Sequence, residues 1–110
     1  MAVLKKLGGT GYKPGAATLT ACYTVPGSTQ TAITAITATN QSSSVAEKIR
    51  GCHSVNAAAA AVADYFWYDA DLAPGETKTI GSFTAATNDI IRLYSLGGNV
   101  AFQVYGIENP

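Results

Sequence analysis

From Asp64 onward the sequence DYFWYDADLAPGETKTIGSFTAATNDIIRLYSLGGNVAFQVYGIENP reads as four short strands separated by turn residues, and this punctuation limits the fold more than any other feature. The runs are Tyr65 to Leu72, Thr77 to Phe83, Ile90 to Leu96 and Val100 to Ile107. Pro74-Gly75 fits a type II turn with glycine at the position of positive φ, and Gly97-Gly98-Asn99 predicts a hairpin joining the last two runs. A chain closing on a strand is expected to carry no appended catalytic or targeting tail.

The first half repeats the pattern. Thr18 to Val25 alternates Leu19, Ala21, Tyr23 and Val25 with Thr18, Thr20, Cys22 and Thr24, as in a half-buried strand, and Pro26-Gly27 ends it. Gln30 to Asn40 carries TAITAITAT, whose β-branched Thr and Ile suit a pleated surface. Val45, Glu47 and Ile49 then alternate with Ala46, Lys48 and Arg50, a pattern expected of a strand near an edge with one strongly polar face. Asn56 to Ala63 is the one helix-like stretch, with Asn56 as N-cap, yet its eight residues equally suit a loop packed where only methyl groups fit. Seven to eight short strands spaced by turns predict an all-β fold, an antiparallel β-sandwich of immunoglobulin-like or jelly-roll type rather than a closed barrel, over residues 17–110. Residues 1–16, rich in glycine and carrying Lys5, Lys6 and Lys13, are expected to form an extended N-terminal arm.

With 110 residues the chain is one domain that can bury a core without metal or obligatory disulfides. Only 13% of its residues are charged, about half the proportion of an ordinary soluble domain. A monomer so weakly charged is poorly defended against association, so partners are expected to cover part of it. Seven Lys and Arg balance seven Asp and Glu, which removes the electrostatic argument for nucleic-acid binding. Met1 to Leu4 ahead of Lys5-Lys6 does not read as a signal peptide, and no apolar run is long enough for a transmembrane helix, so no membrane association is expected.

Candidate chemistry is sparse. Cys22 and Cys52 read as buried thiols in preference to a disulfide, and with His53 they make too few well-placed ligands for zinc. His53 is the sole histidine; Ser54 adjoins it, but neighbouring strand side chains diverge, so the two do not form a catalytic pair. Asp64, Asp69, Asp71 and Glu76 surround the aromatic run, with Asp69 and Asp71 on one face, and read as a solvated edge and turn in preference to a hard-cation site. Of Tyr65, Phe66, Trp67 and Tyr68, two are expected to face each way: Phe66 and Tyr68 fill the core with Leu72 while Tyr65 and Trp67 face out, or the reverse. Outward aromatics can anchor a protein interface or stack on sugars. Asn40-Gln41-Ser42 matches a glycosylation sequon by chance. No catalytic residue, cofactor or metal is expected.

The motif order CYTVPGSTQTAITAITATNQSSSVAEKIR, YFWYDADLAPGETKTIGSFT and NDIIRLYSLGGNVAFQVYGIE resembles a group of small β-sandwich structural proteins of tailed bacteriophages. In that group a YTVP strand leads into an alternating strand ending in Asn, a PGET-like turn precedes a Thr-rich strand, and a final N-V-x-F-x-V-x-G-x-E strand closes the domain. The likeness covers about residues 17 to 108; the Ala57 to Ala61 run and the arm depart from it. It implies a non-enzymatic virion protein assembled without cofactor. The leading expectation is a capsid decoration or cement protein, a homo-oligomer with a trimer favoured, bound to the major capsid protein. Neck, tail or fibre-associated components and a carbohydrate-binding host-attachment module are the alternatives. Leu4, Lys5, Lys6, Tyr12, Lys13, Tyr65 and Trp67 are the expected partner-facing residues.

Overall fold

A computed structural model describes residues 3–110, and they form two packed antiparallel sheets. The strands are β1 (Leu4–Lys6), β2 (Thr20–Thr24), β3 (Gln30–Asn40), β4 (Glu47–Ser54), β5 (Tyr65–Leu72), β6 (Thr77–Ile80), β7 (Phe83–Ala85), β8 (Ile90–Ser95) and β9 (Val100–Asn109). One sheet runs β1-β9-β3-β6, with β7 also paired to β3; the other runs β2-β8-β4-β5. The β-sandwich expected from the sequence is thus present. Its core comprises Ile33, Ile36, Val100, Phe102 and Val104 from the first sheet against Tyr23, Ile49, Leu72, Ile91 and Leu93 from the second.

The strand pattern departs from simple alternation where the sequence does. Ile33 and Ile36 are three residues apart, yet both are fully buried, so one residue must drop out of the two-residue repeat between them. The ladder with β9 accordingly slips between Ile33 and Ala35, and Thr34 turns its Oγ1 to donate to the Tyr105 carbonyl at 3.1 Å. Opposite this bulge, on the other side of β3, the expected single strand Thr77 to Phe83 breaks at Gly81-Ser82 into β6 and β7. On β9, Gly106 lets β3 approach closely: a Cβ there would lie 3.0 Å from Leu7 Cδ1 and collide with the Ala32 carbonyl. A second bulge, at Cys22, leaves Ala21 exposed and sends Tyr23 and Val25 into the core.

Three local expectations are corrected, and one left open between two readings is decided. Gly97-Gly98-Asn99 does not close a hairpin, because β8 and β9 lie in different sheets. The buried Glu47 carboxylate fixes this crossing by accepting from Gly97 N (2.7 Å), Asn99 N (3.2 Å) and Asn99 Nδ2 (2.9 Å). β4 lies inside its sheet between β8 and β5, and its outward Lys48 and Arg50 are answered by carboxylates on β5, the true edge. Of the two readings of the alanine run, the structure shows the loop and not the helix. Its flanks are the 3₁₀ turns Val55–Ala57 and Val62–Asp64, and Asn56 and Ala57 sit in the left-handed region. Their amides are held by the Asp89 carboxylate and the Asn88 carbonyl, which stops helix propagation. Lastly, the N-terminal segment is extended but is laid onto its own sheet. β1 pairs with β9, Leu7 is fully buried, and Tyr12 exchanges backbone hydrogen bonds with Phe102 at 2.9 and 2.7 Å.

Other readings hold. Gly75 has φ of 75° and the Glu76 amide donates to the Ala73 carbonyl, as the type II turn requires. Asn40, which ends β3, is 1% exposed; its Nδ2 donates to the Val45 and Leu72 carbonyls, and its Oδ1 accepts from Ser42 N. The sequon therefore has no free amide to modify. Phe102 is fully buried between the sheets, with its ring 6.3 Å from that of Trp67. Phe102→Ala should cost about 3–5 kcal/mol, measured by denaturant unfolding. A loss below about 1 kcal/mol would place the ring outside the core.

Candidate functional site

The four consecutive aromatics do not divide by alternation. Between β4 and β5 the register slips twice, pairing Ile49 with Ala70, Arg50 with Tyr68, Gly51 with Trp67 and Cys52 with Tyr65. Phe66 and Asp69 are the extra residues, and Asp69 has φ of 52°. The first slip turns both Phe66 and Trp67 toward the core, where they pack against the buried cluster and each other at 5.3 Å. Gly51 makes the room: a Cβ there would lie 2.7 Å from Phe66 Cζ and 3.1 Å from Trp67 Cε3. Tyr65 and Tyr68 form an edge-to-face pair at 5.2 Å, and Tyr68 is 53% exposed. Trp67, expected outward with Tyr65, is corrected to an inward residue, and Tyr68 is the outward aromatic.

Outside β5 the charges pair locally. The Arg50 guanidinium lies 4.6 Å from the Tyr68 ring and 5.0 Å from that of Tyr94, and it donates to both Asp69 oxygens at 2.7 and 3.1 Å. Lys48 pairs with Asp71 at 2.5 Å. These cations hold both aspartate carboxyls below their usual range through charge-assisted hydrogen bonds, and they occupy the positions a cation ligand would need. Among the described residues no group of three or more His, Cys, Asp or Glu side chains could hold a metal ion, and no helix is long and apolar enough to cross a membrane. Cys22 and Cys52 are free thiols; burial pushes Cys22 up to about 11, which keeps it protonated.

The N-terminal residues expected to meet partners are differently employed. Leu4 is 60% exposed and Lys13 is exposed. Lys5 pairs with Glu108 at 2.8 Å, Lys6 lies 6.0 Å from the Tyr105 ring, and the Tyr12 hydroxyl donates to the Leu7 carbonyl at 3.0 Å. Glu108 also accepts from Tyr23 Oη at 2.5 Å, and Tyr23 in turn meets Thr31 Oγ1 at 3.0 Å, a chain that crosses between the sheets. Lys5 and Tyr23 hold the Glu108 carboxyl below its usual range, while burial and the Glu108 bond push the Tyr23 phenol up.

Where β6 ends and β7 begins, the sandwich opens into a groove of about 650 Å³. Phe66 and Phe83 form its aromatic wall at 5.8 Å, and the His53 ring continues it 5.1 Å from Phe83. His53 projects from the core side of β4, while Ser54 projects outward to meet Cys52 Sγ and Arg92, so the two diverge as the strand pattern predicts. The partner of His53 is Asp89, whose Oδ2 meets Nε2 at 2.8 Å. Asp89 is 3% exposed. Burial opposes its ionisation, but the amides of Asn56 (2.9 Å) and Ala86 (3.0 Å) and the His53 ring outweigh this and hold the carboxyl below its usual range. With the carboxylate ionised, Nε2 carries the proton of the contact. Ser82 lines the groove, but no hydrogen bond joins it to His53 among the described residues. Sequence reasoning missed this pair because Asp89 is brought to His53 only by the β4–β8 register; Asn88-Asp89 ahead of a strand announces a turn and nothing more.

No protein family, curated protein or solved structure matches the chain.

Gly51→Ala should destabilise the protein by about 1–3 kcal/mol through overpacking and shift Trp67 fluorescence as the indole is displaced. Unchanged emission and melting temperature would refute the inward packing. Asp89→Ala, which deprives two amides and a ring nitrogen of their acceptor, should cost about 3 kcal/mol. Asp89 and Glu108 both titrate lower folded than unfolded, so on acidification the unfolded chain takes up protons first. Their contribution is complete above about pH 5 and is lost as the pH falls through about 4 and below. Melting curves of an Asp89→Ala, Glu108→Gln double variant should show a shallower decline from about pH 5 to 3, and a wild-type slope would refute the assignment.

Proposed function

We propose that this protein is a non-enzymatic structural component of a tailed-phage virion, a decoration or cement protein docked on the head shell as a homo-oligomer. The observation that carries the reading is the order of its motifs. YTVP ends β2, the strand ending in Asn40 is β3, PGET forms the β5–β6 turn, and the closing N-V-x-F-x-V-x-G-x-E motif is β9. The resemblance thus supplies the turns and closing strand around which the sandwich is built.

The chemistry of the surface supports docking in place of turnover. The cations of the outer β4–β5 face are spent on local carboxylates, and the exposed large apolar residues Val3 and Leu4 lie at the β1 edge. An edge strand offering unpaired backbone groups and apolar side chains suits addition to a neighbouring chain. The carbohydrate-binding alternative has less support: Trp67 is turned inward, and the Tyr68 and Tyr94 rings face Arg50.

Quantitative mass spectrometry of purified particles tests the proposal. A copy number comparable to that of the major capsid protein is expected, because only the shell repeats that often. A few per cent of that number would move the protein to the neck, tail or fibres, and absence from particles would overturn the virion reading.

A further inference from the structure

The groove at the β6–β7 break has properties that docking to a shell does not require. Its volume falls in the range of small-molecule sites, and its walls come from separate parts of the chain: Phe66 from β5, Ile80 and Phe83 from β6 and β7, and Val55 from the loop after β4. His53 supplies a directional polar group among them. Its Nε2 is committed to Asp89, whereas its Nδ1 has no hydrogen-bond partner among the described residues and is not sealed from solvent. Because the proton of the neutral ring is kept on Nε2 by Asp89, Nδ1 is left as an acceptor. Asp64, also on the lining, disfavours an anionic guest.

The geometry points to a binding site for a small neutral planar aromatic molecule bearing a hydroxyl, with its ring against Phe66 and Phe83 and its O–H donated to His53 Nδ1. Each wall residue then has a separate role. Phe66 and Phe83 add ring contacts in tilted or offset arrangements. Asp89 acts through His53 as a positioning residue, fixing the tautomer and the ring plane. The opening of the slot follows from the Gly81-Ser82 break, which interrupts that edge of the sandwich. The site does not rest on the virion proposal, since it draws on no residue of the β1 edge and shares only Tyr65 with the expected partner-facing set.

The test compares 2-naphthol with 2-methoxynaphthalene, which keeps the rings and lacks the donor. Both are titrated into the full chain while the His53 and Phe83 side-chain resonances are followed by NMR. 2-Naphthol should bind saturably, move both sets of resonances, and bind at least about tenfold more tightly than the ether, the worth of roughly one hydrogen bond. His53→Phe should abolish the preference while leaving aromatic binding in place. Ala63→Phe, at an exposed position on the lining, should plug the groove and remove both ligands even if the first variant fails to fold. Equal affinity for the two compounds, shifts that miss His53, or undiminished binding by the Ala63→Phe variant would each overturn the assignment. So would saturation by a tyrosine-bearing peptide with no response to 2-naphthol, which would make the groove a seat for a protein segment.

Discussion

Two isoleucines three residues apart govern much of this structure. Ile33 and Ile36 cannot both face a core in an uninterrupted strand, since side chains alternate with a period of two. Burying both gains the hydrophobic free energy of two large side chains, roughly 1.5–3 kcal/mol each, which exceeds what one displaced ladder residue forfeits. Thr34 therefore bulges and recovers a hydrogen bond through its hydroxyl. The partner edge cannot follow β3 continuously past this point, and β6 and β7 separate at Gly81-Ser82. The groove beside His53 lies where that edge is broken, so the site's position traces to the spacing of the ITAITA segment.

A similar logic operates on β5, where two bulges within eight residues replace alternation with a pair of inward and a pair of outward aromatics. Glycine at 51 is the condition for it, because any side chain there would compete with Phe66 and Trp67 for the same volume. Tyr68 of the outward pair then meets Arg50, whose charge is matched by Asp69 at the bulge itself. Charge is used sparingly throughout. Glu47 fastens the sheet-crossing turn, Asp89 the loop after β4, Glu108 the first strand, and Asp69 and Asp71 the outer face. Few carboxylates remain free on a surface that began with few.

The sandwich class was legible because turn residues and apolar runs are local signals. Pro74-Gly75 fixes a turn whatever surrounds it, and Asn40 and Phe102 lie where their strands predict. What was not legible depends on which strands become neighbours. Gly97-Gly98-Asn99 has the composition of a hairpin but crosses between sheets, a choice set by a glutamate fifty positions earlier in the chain. The His53–Asp89 pair likewise exists only through the β4–β8 register. The bulges lie between these extremes: the odd spacing of Ile33 and Ile36 is visible in the sequence, whereas that of Phe66 and Trp67 becomes meaningful only once Gly51 is known to lie opposite.

The N-terminal segment shows how the fold constrains the proposed docking. Lys5 and Lys6 flank a glycine-rich stretch whose composition suggests a free arm, yet Leu7 fills the space that Gly106 leaves, and Lys5 joins the chain through Glu108 and Tyr23 to the opposite sheet. Releasing the segment would empty a core position and break a link between the sheets. Under the virion reading, the shell is therefore met by a β1 edge already in place, not by a strand that orders on contact. A preformed edge avoids the entropy of ordering a disordered segment at the moment of binding. The exposed side chains of Leu4 and Lys13 then define where that edge meets its neighbour, and binding adds to the sandwich without rebuilding it.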